Sequence, residues 1–137
     1  MTRPNPKSIL ITGASNGIGR ALALHQAKTG VSLFISGQSD KRLQATAGTC
    51  RDLGAAVETA IMDVQDMEKM AGWIAECDRT RPLERVIANA GISAGSGMAG
   101  GESEAQARDI FSVNLAGVLN TVWPAIHMMK PRGHGQI

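Results

Sequence analysis

Three glycines near the amino terminus have the spacing of a phosphate cradle. Gly13, Gly17 and Gly19 lie in the string TGASNGIG, after the apolar run Ile9-Leu10-Ile11 and before Arg20-Ala21-Leu22-Ala23-Leu24-His25-Gln26-Ala27. A short β-branched run, a glycine-dense turn and a helical pattern read as strand, loop and helix. In that arrangement Gly13 permits the tight turn off the strand. Gly17 lets the backbone approach a pyrophosphate, and Gly19 lets the helix lie close on the sheet. The free N–H groups at the helix start then face an anion that the helix dipole favours. The plain alternative is a strand-to-helix turn that is merely rich in glycine. No Gly-Lys-Ser/Thr follows, which excludes a P-loop.

Further candidates stand at the ends of later apolar runs. Ser36-Gly37-Gln38-Ser39 carries no carboxylate at the place where Asp or Glu would bond the ribose 2′-OH of NAD. Lys41 and Arg42 follow closely enough to meet a 2′-phosphate, so the balance favours NADP over NAD; the alternative is a solvated helix face. Asp63-Val64 follows a third run, and the plain alternative there is an Asx turn ahead of a helix cap at Asp66. Asn89-Ala90-Gly91 follows a fourth. Asn114 lies in FSVNLAG, where an asparagine also suits a helix N-cap.

These positions need a scaffold. Strands are expected to end near Thr12, Ser36, Met62 and Ala88. Helices are expected over residues 17–29 with Gly30 closing the first, from Ser39 or Asp40 to 53, over 66–79, over 103–112 and over 114–130. The third helix presents Met67, Met70, Ala71 and Ile74 on one face. The last has an apolar stripe of Leu115, Val118, Leu119, Val122, Ile126 and Met129, with Pro124 inside it as a potential kink. Strands alternating with helices indicate an α/β fold, a doubly wound parallel sheet in three α/β/α layers. Such sheets bind ligands beyond the carboxyl ends of their strands, where every candidate above falls. Residues 1–6 read as a disordered lead and 93–101 as a mobile Gly/Ser-rich loop. Gly135-Gln136-Ile137 reads as the start of a fifth strand.

The totals set bounds. With 137 residues the chain supplies a single domain, and a net charge of +2 argues for neither nucleic acid nor a membrane surface. No apolar run approaches the ~20 residues of a membrane span, and no secretion signal is visible, so a cytoplasmic protein is expected. Cys50 and Cys77 read as reduced thiols; His25, His127 and His134 lack partners at metal-ligand spacing, so no metal is expected. Trp73 and Trp123 read as core or interface anchors, and the methionine-rich faces as packing.

The combination TGASNGIG, DV, NAG and FSVNLAG, spread over the whole chain, resembles the short-chain dehydrogenase/reductase family. The resemblance implies a partial Rossmann domain with a cofactor site built from Gly13, Ser15, Asn16, Gly17, Ile18, Gly19, Gln38, Asp63, Val64, Asn89, Ala90 and Gly91. Within it Asp63 meets the adenine amino group, Val64 gives a backbone contact, and Ala90 and Gly91 let the cofactor ribose lie close. Gln38 departs from the arginine that many NADP-preferring members carry. Asn114 matches the asparagine of the family's Asn-Ser-Tyr-Lys set, where it holds a water in the proton relay. The Ser and the YxxxK segment of that set lie past the fifth strand, and these 137 residues contain no tyrosine.

The chain therefore reads as the cofactor-binding front portion of a longer reductase acting on a carbonyl or alcohol, inactive by itself. The alternative is a non-catalytic dinucleotide-binding or redox-sensing module. A fourth strand left as a bare sheet edge and an exposed stripe on the 114–130 helix are expected. The resemblance also implies a homo-oligomer, dimer or tetramer, formed through that helix.

Overall fold

The computed structural model describes residues 5–93 and 101–137. Its sheet contains β1 (Ser8–Ile11), β2 (Ser32–Gly37), β3 (Ala56–Ile61) and β4 (Arg85–Ile87). All pairs are parallel, in the order β3-β2-β1-β4. The connections run through α1 (Gly17–Gln26), α2 (Asp40–Asp52) and α3 (Met67–Thr80). This is the doubly wound Rossmann-type order expected from the alternating pattern.

Successive strand residues point to opposite faces, so each face collects its own core. Ile9, Ile11, Leu33 and Ile35 cluster with Ala23 of α1 and with Leu43, Ala47 and Cys50 of α2. Leu10, Phe34 and Val86 cluster with Met70 and Ile74 of α3 and with Ala125 and Met129 of a later helix. Burial on both faces explains why the strands read as unbroken apolar runs.

The structure corrects several expected boundaries. α1 stops at Gln26, where Ala27 turns extended. Gly30, at φ +86°, lies beyond the helix end, in the turn that the Val31 N–H closes on the Lys28 carbonyl at 3.1 Å. On α3 the buried stripe is Met70, Ile74 and Cys77; Met67, in the first turn, is 64% exposed. Pro6, placed in the expected lead, is buried, while residues 1–4 and most of the 93–101 loop lie outside the described residues.

The largest difference lies between 103 and 130. Two helices were expected, and the chain forms one rod: α4 (Glu104–Phe111), a π-helical turn Ser112–Ala116, and α5 (Gly117–Met129). Its start is a capping box, in which Ser103 accepts the Gln106 N–H at 3.2 Å and Gln106 accepts the Ser103 N–H at 2.9 Å. Asn114 is thus inside a helix and caps nothing. Pro124 sits within α5 without ending it.

The face of the rod that packs is also not the greasiest one. Val113, Gly117, Thr121, Ala125 and Met129 are buried, whereas Leu115, Leu119 and Ile126 of the expected stripe point outward. Trp73 packs against the second core cluster; Trp123 remains exposed, its ring 5.7 Å from that of His127.

Nor is β4 a bare edge. Gln136 forms a parallel bridge with Arg85: its carbonyl takes the Val86 N–H at 2.9 Å, and its own N–H reaches the Glu84 carbonyl at 3.0 Å. Among the described residues no helix is long and apolar enough to cross a membrane.

Candidate functional site

Beyond the carboxyl ends of β1, β2 and β4 the structure opens into a cleft of ≈ 410 Å³. One side is the loop and first turn of α1, with Gly13, Ser15, Asn16, Gly17, Ile18 and Gly19. The end of β2 adds Ser36, Gly37, Gln38, Ser39 and Arg42. The far side is Met62, Val64, Asn89, Ala90, Gly91, Ile92 and Val113.

The glycine loop is shaped by close approach. Gly13 turns at φ +71°, and a Cβ there would lie 2.7 Å from the Cα of Ala90. The ends of β1 and β4 are clasped reciprocally at this point. Thr12 Oγ1 accepts the N–H groups of Asn89 and Ala90, each at 3.1 Å, while Asn89 Nδ2 donates to the carbonyls of Thr12 at 3.1 Å and Gly13 at 3.3 Å. Buried polar groups satisfied in this way hold a turn in one geometry.

The head of α1 is uncapped. Asn16 makes no side-chain cap bond, the first turn has no acidic residue, and the helical ladder opens with the Arg20 N–H on the Asn16 carbonyl at 3.1 Å. The amides of Gly17, Ile18 and Gly19 precede that first bond and carry the positive end of the dipole. Gly17 stands at φ +52° with open space where a Cβ would be. Ser15 Oγ and Ser36 Oγ are buried with no partner among the described residues. Unpaired buried hydroxyls are costly, and Ser15 and Ser36 both line the cleft that the free amides head, a lining that suits a polyoxygenated anion.

The remaining candidates divide. Gln38, Val64, Asn89, Ala90 and Gly91 line the cleft. Asp63 stands outside its lining: its Oδ1 accepts the Gln65 N–H at 2.9 Å, an Asx turn leading to the Asp66 cap of α3. Arg42 lines the cleft and Lys41 does not. Asn114 also lies off the wall and acts on it through another residue. Its Oδ1 accepts the Ile92 N–H and its Nδ2 donates to the Ile92 carbonyl, both at 2.8 Å, like a strand partner for one residue.

Sequence reasoning missed Met62, Val113 and the bonding role of Thr12. The threonine before the first glycine was the available signal, because a hydroxyl at a strand end can accept from a neighbouring loop.

Among the described residues no group of three or more His, Cys, Asp or Glu side chains could hold a metal ion. Cys77 is pushed up to about 12 by burial, with nearby carboxylates adding to it, and burial likewise raises Cys50. Burial thus disfavours the reactive thiolate form of both.

The comparisons with known proteins agree with this geometry. The family described as short chain dehydrogenase matches residues 7–137. An uncharacterized oxidoreductase of Myxococcus xanthus is 31% identical over 144 residues, covering 100% of this chain and 54% of that protein. Gluconate 5-dehydrogenase of Gluconobacter oxydans is 30% identical over 129 residues, covering 93% of this chain and 50% of that protein. The chain thus spans about half the length of these curated relatives. The crystal structure of NAD+-bound xylitol dehydrogenase superposes with a TM-score of 0.86 over 94% of this chain and 50% of that one; at 21% identity it shares the fold. On the match over residues 7–137, the chain belongs to the short-chain dehydrogenase family.

Proposed function

We propose that this chain binds a nicotinamide dinucleotide, NADP ahead of NAD, for an oxidoreductase that acts on a small carbonyl or alcohol. The observation that carries the reading is the uncapped head of α1, opening into a cleft with two unpartnered hydroxyls. When bound, the nicotinamide supplies hydride chemistry. The chain's own residues bind and orient. The amides of Gly17, Ile18 and Gly19 would receive the diphosphate, and Ser15 stands beside them. Ala90 and Gly91 would let a ribose lie against the backbone, and Val64 on the cleft wall would meet the adenine; the role of Asp63, outside that wall, rests on family resemblance. Asn114 as holder of a relay water rests on family resemblance; within this chain it positions Ile92.

Fluorescence titration tests this. Both NADPH and NADH are expected to bind the chain, NADPH more tightly, and binding of neither overturns the reading. Arg42 lines the β2 side of the cleft with no carboxylate beside it at the strand tip. Arg42→Ala is expected to weaken NADPH about 10-fold, the loss of roughly one charge-assisted contact, while NADH changes little. Equal loss for both would assign Arg42 to the solvated face of α2.

These 137 residues contain no tyrosine to serve as acid/base. By themselves they are expected to show no NAD(P)-linked turnover in a spectrophotometric assay. Steady oxidation or reduction would refute that.

We also propose a cytoplasmic location and self-association through the outward face of the α4–α5 rod. Phe111, Leu115, Leu119 and Trp123 there are each more than half exposed. Leu119→Glu is expected to shift sedimentation towards a monomer; an unchanged profile would move the interface elsewhere.

A further inference from the structure

The loop after β3 is held by a side chain of α5 that stands off the cleft wall. Asn120, partly buried on α5, donates from Nδ2 to the Val64 carbonyl at 2.9 Å and to the Gln65 carbonyl at 3.3 Å. Two carbonyls facing one amide group require its nitrogen, which settles the orientation of the side chain. The peptide between Val64 and Gln65 is therefore gripped at both ends, its C=O by Asn120 and its N–H by Asp63 Oδ1 at 2.9 Å. That grip holds Asp63 and seats Val64, a residue of the cleft wall whose side chain packs against α5.

The approach of α5 to this loop is unusually close. A Cβ at Gly117 would come within 2.5 Å of Val64 Cγ2. The Gly117 N–H itself bonds the Ser112 carbonyl, five residues back, so the π turn adds a residue to the rod just ahead of α5. The same rod thus carries one asparagine for each wall: Asn114 on Ile92 and Asn120 on Val64.

We propose that Asn120 is a positioning residue for the adenine end of the dinucleotide, acting through the Val64–Gln65 peptide on Asp63 and Val64. The inference rests on the dinucleotide reading of the cleft. It separates two functions along one helix: removing Asn120 loosens the adenine wall and leaves the Ile92 wall in place.

Two variants of similar size test it. Asn120→Leu removes the donor, and Asn120→Asp turns it into an acceptor facing two carbonyls. Calorimetric titration is made with 2′,5′-ADP for one end and nicotinamide mononucleotide, followed by NMR, for the other. The expected result is a roughly 10-fold loss for 2′,5′-ADP in Asn120→Leu, a larger loss in Asn120→Asp, and unchanged nicotinamide mononucleotide binding. Hydrogen exchange at the Gln65 amide is expected to quicken in parallel. This readout needs no ligand and can be made on Asn120→Leu if the charged variant does not fold. Wild-type protein that binds neither probe overturns the dinucleotide reading and this inference with it. Wild-type binding of 2′,5′-ADP that both variants retain, or equal loss at both ends, overturns the positioning role alone.

Discussion

Gly19→Ala is expected to lower NADPH affinity roughly 30–100-fold and to destabilise the fold by about 2–3 kcal/mol, the range for forcing an extra methyl into a packed site. A Cβ at Gly19 would overlap the Gly13 carbonyl oxygen, and would sit 2.5 Å from Asn89 Nδ2 and 2.8 Å from the Gly13 carbonyl carbon. None of these neighbours yields cheaply. Gly13 is held against Ala90, and Asn89 is tied to Thr12 and Gly13. The head of α1 must therefore move off the loop, taking with it the amides of Gly17 and Ile18. Gly48→Ala is the control. A Cβ there meets nothing within 4 Å, inside α2. It should stabilise by about 0.5–1 kcal/mol and leave binding alone, as alanine does in a helix interior. Urea unfolding and NADPH titration check both; full binding by Gly19→Ala would mean that the helix head does not contact the ligand.

Breaking the Asp78–Arg132 pair is the second large effect expected. Arg132 Nη1 meets Asp78 Oδ2 and Nη2 meets Oδ1, each at 2.8 Å, and Nη2 also donates to the Leu83 carbonyl at 3.1 Å. Their side chains are only 25% and 16% exposed, and Asp78 Oδ1 also accepts the Leu83 N–H at 2.9 Å. This junction pins the α3–β4 turn to the turn Lys130–Arg132 that follows α5, just before Gln136 pairs with Arg85.

Arg132→Leu leaves a largely buried carboxylate without its partner and should cost about 2–3 kcal/mol, somewhat below the 3–5 of a fully buried pair. Arg132→Lys should recover part of this, since lysine keeps the charge and loses the two-pronged contact. Burial pushes the Asp78 carboxyl up, but Arg132 and the Leu83 N–H outweigh it, so it lies below its ordinary 3.8. A carboxyl lowered on folding contributes stability that is full above about pH 4. That contribution fades as pH falls through the lower folded value. The stability gap between wild type and Arg132→Leu should thus narrow in acid, measured by urea unfolding at pH 7 and pH 3. A gap that is constant with pH would mean that the lost packing of Arg132 dominates.

Much of the site was legible because close approach demands particular residue types. A helix head touching a loop needs Gly19, a turn at positive φ suits Gly13, and a strand-end amide that ties two loops suits Asn89. The strands were legible because burial on both sheet faces writes apolar runs. The helices from 104 to 129 were legible too, but their continuity as one rod was not. Ser112-Val113-Asn114-Leu115-Ala116 contains no breaker, and an α turn differs from a π turn by one hydrogen-bond register, which local preference does not distinguish. Periodicity found a stripe on α5 but chose the greasier face. The buried face has small residues at Gly117, Thr121 and Ala125, because only a shallow face lets the helix come down on Val64.

By itself, then, the sequence of this protein determined the alternation of strands and helices, the glycine turn and the strand ends where candidate groups gather. Those features rest on contacts between near neighbours and on backbone limits carried by single residues. Tertiary structure alone decided which distant groups meet: Thr12 with Asn89, Asn114 with Ile92, Asn120 with Val64, Arg132 with Asp78. Those partners are 22 to 77 positions apart. Residue types permit such bonds, and only the packing of the rod and the sheet brings donor and acceptor within reach.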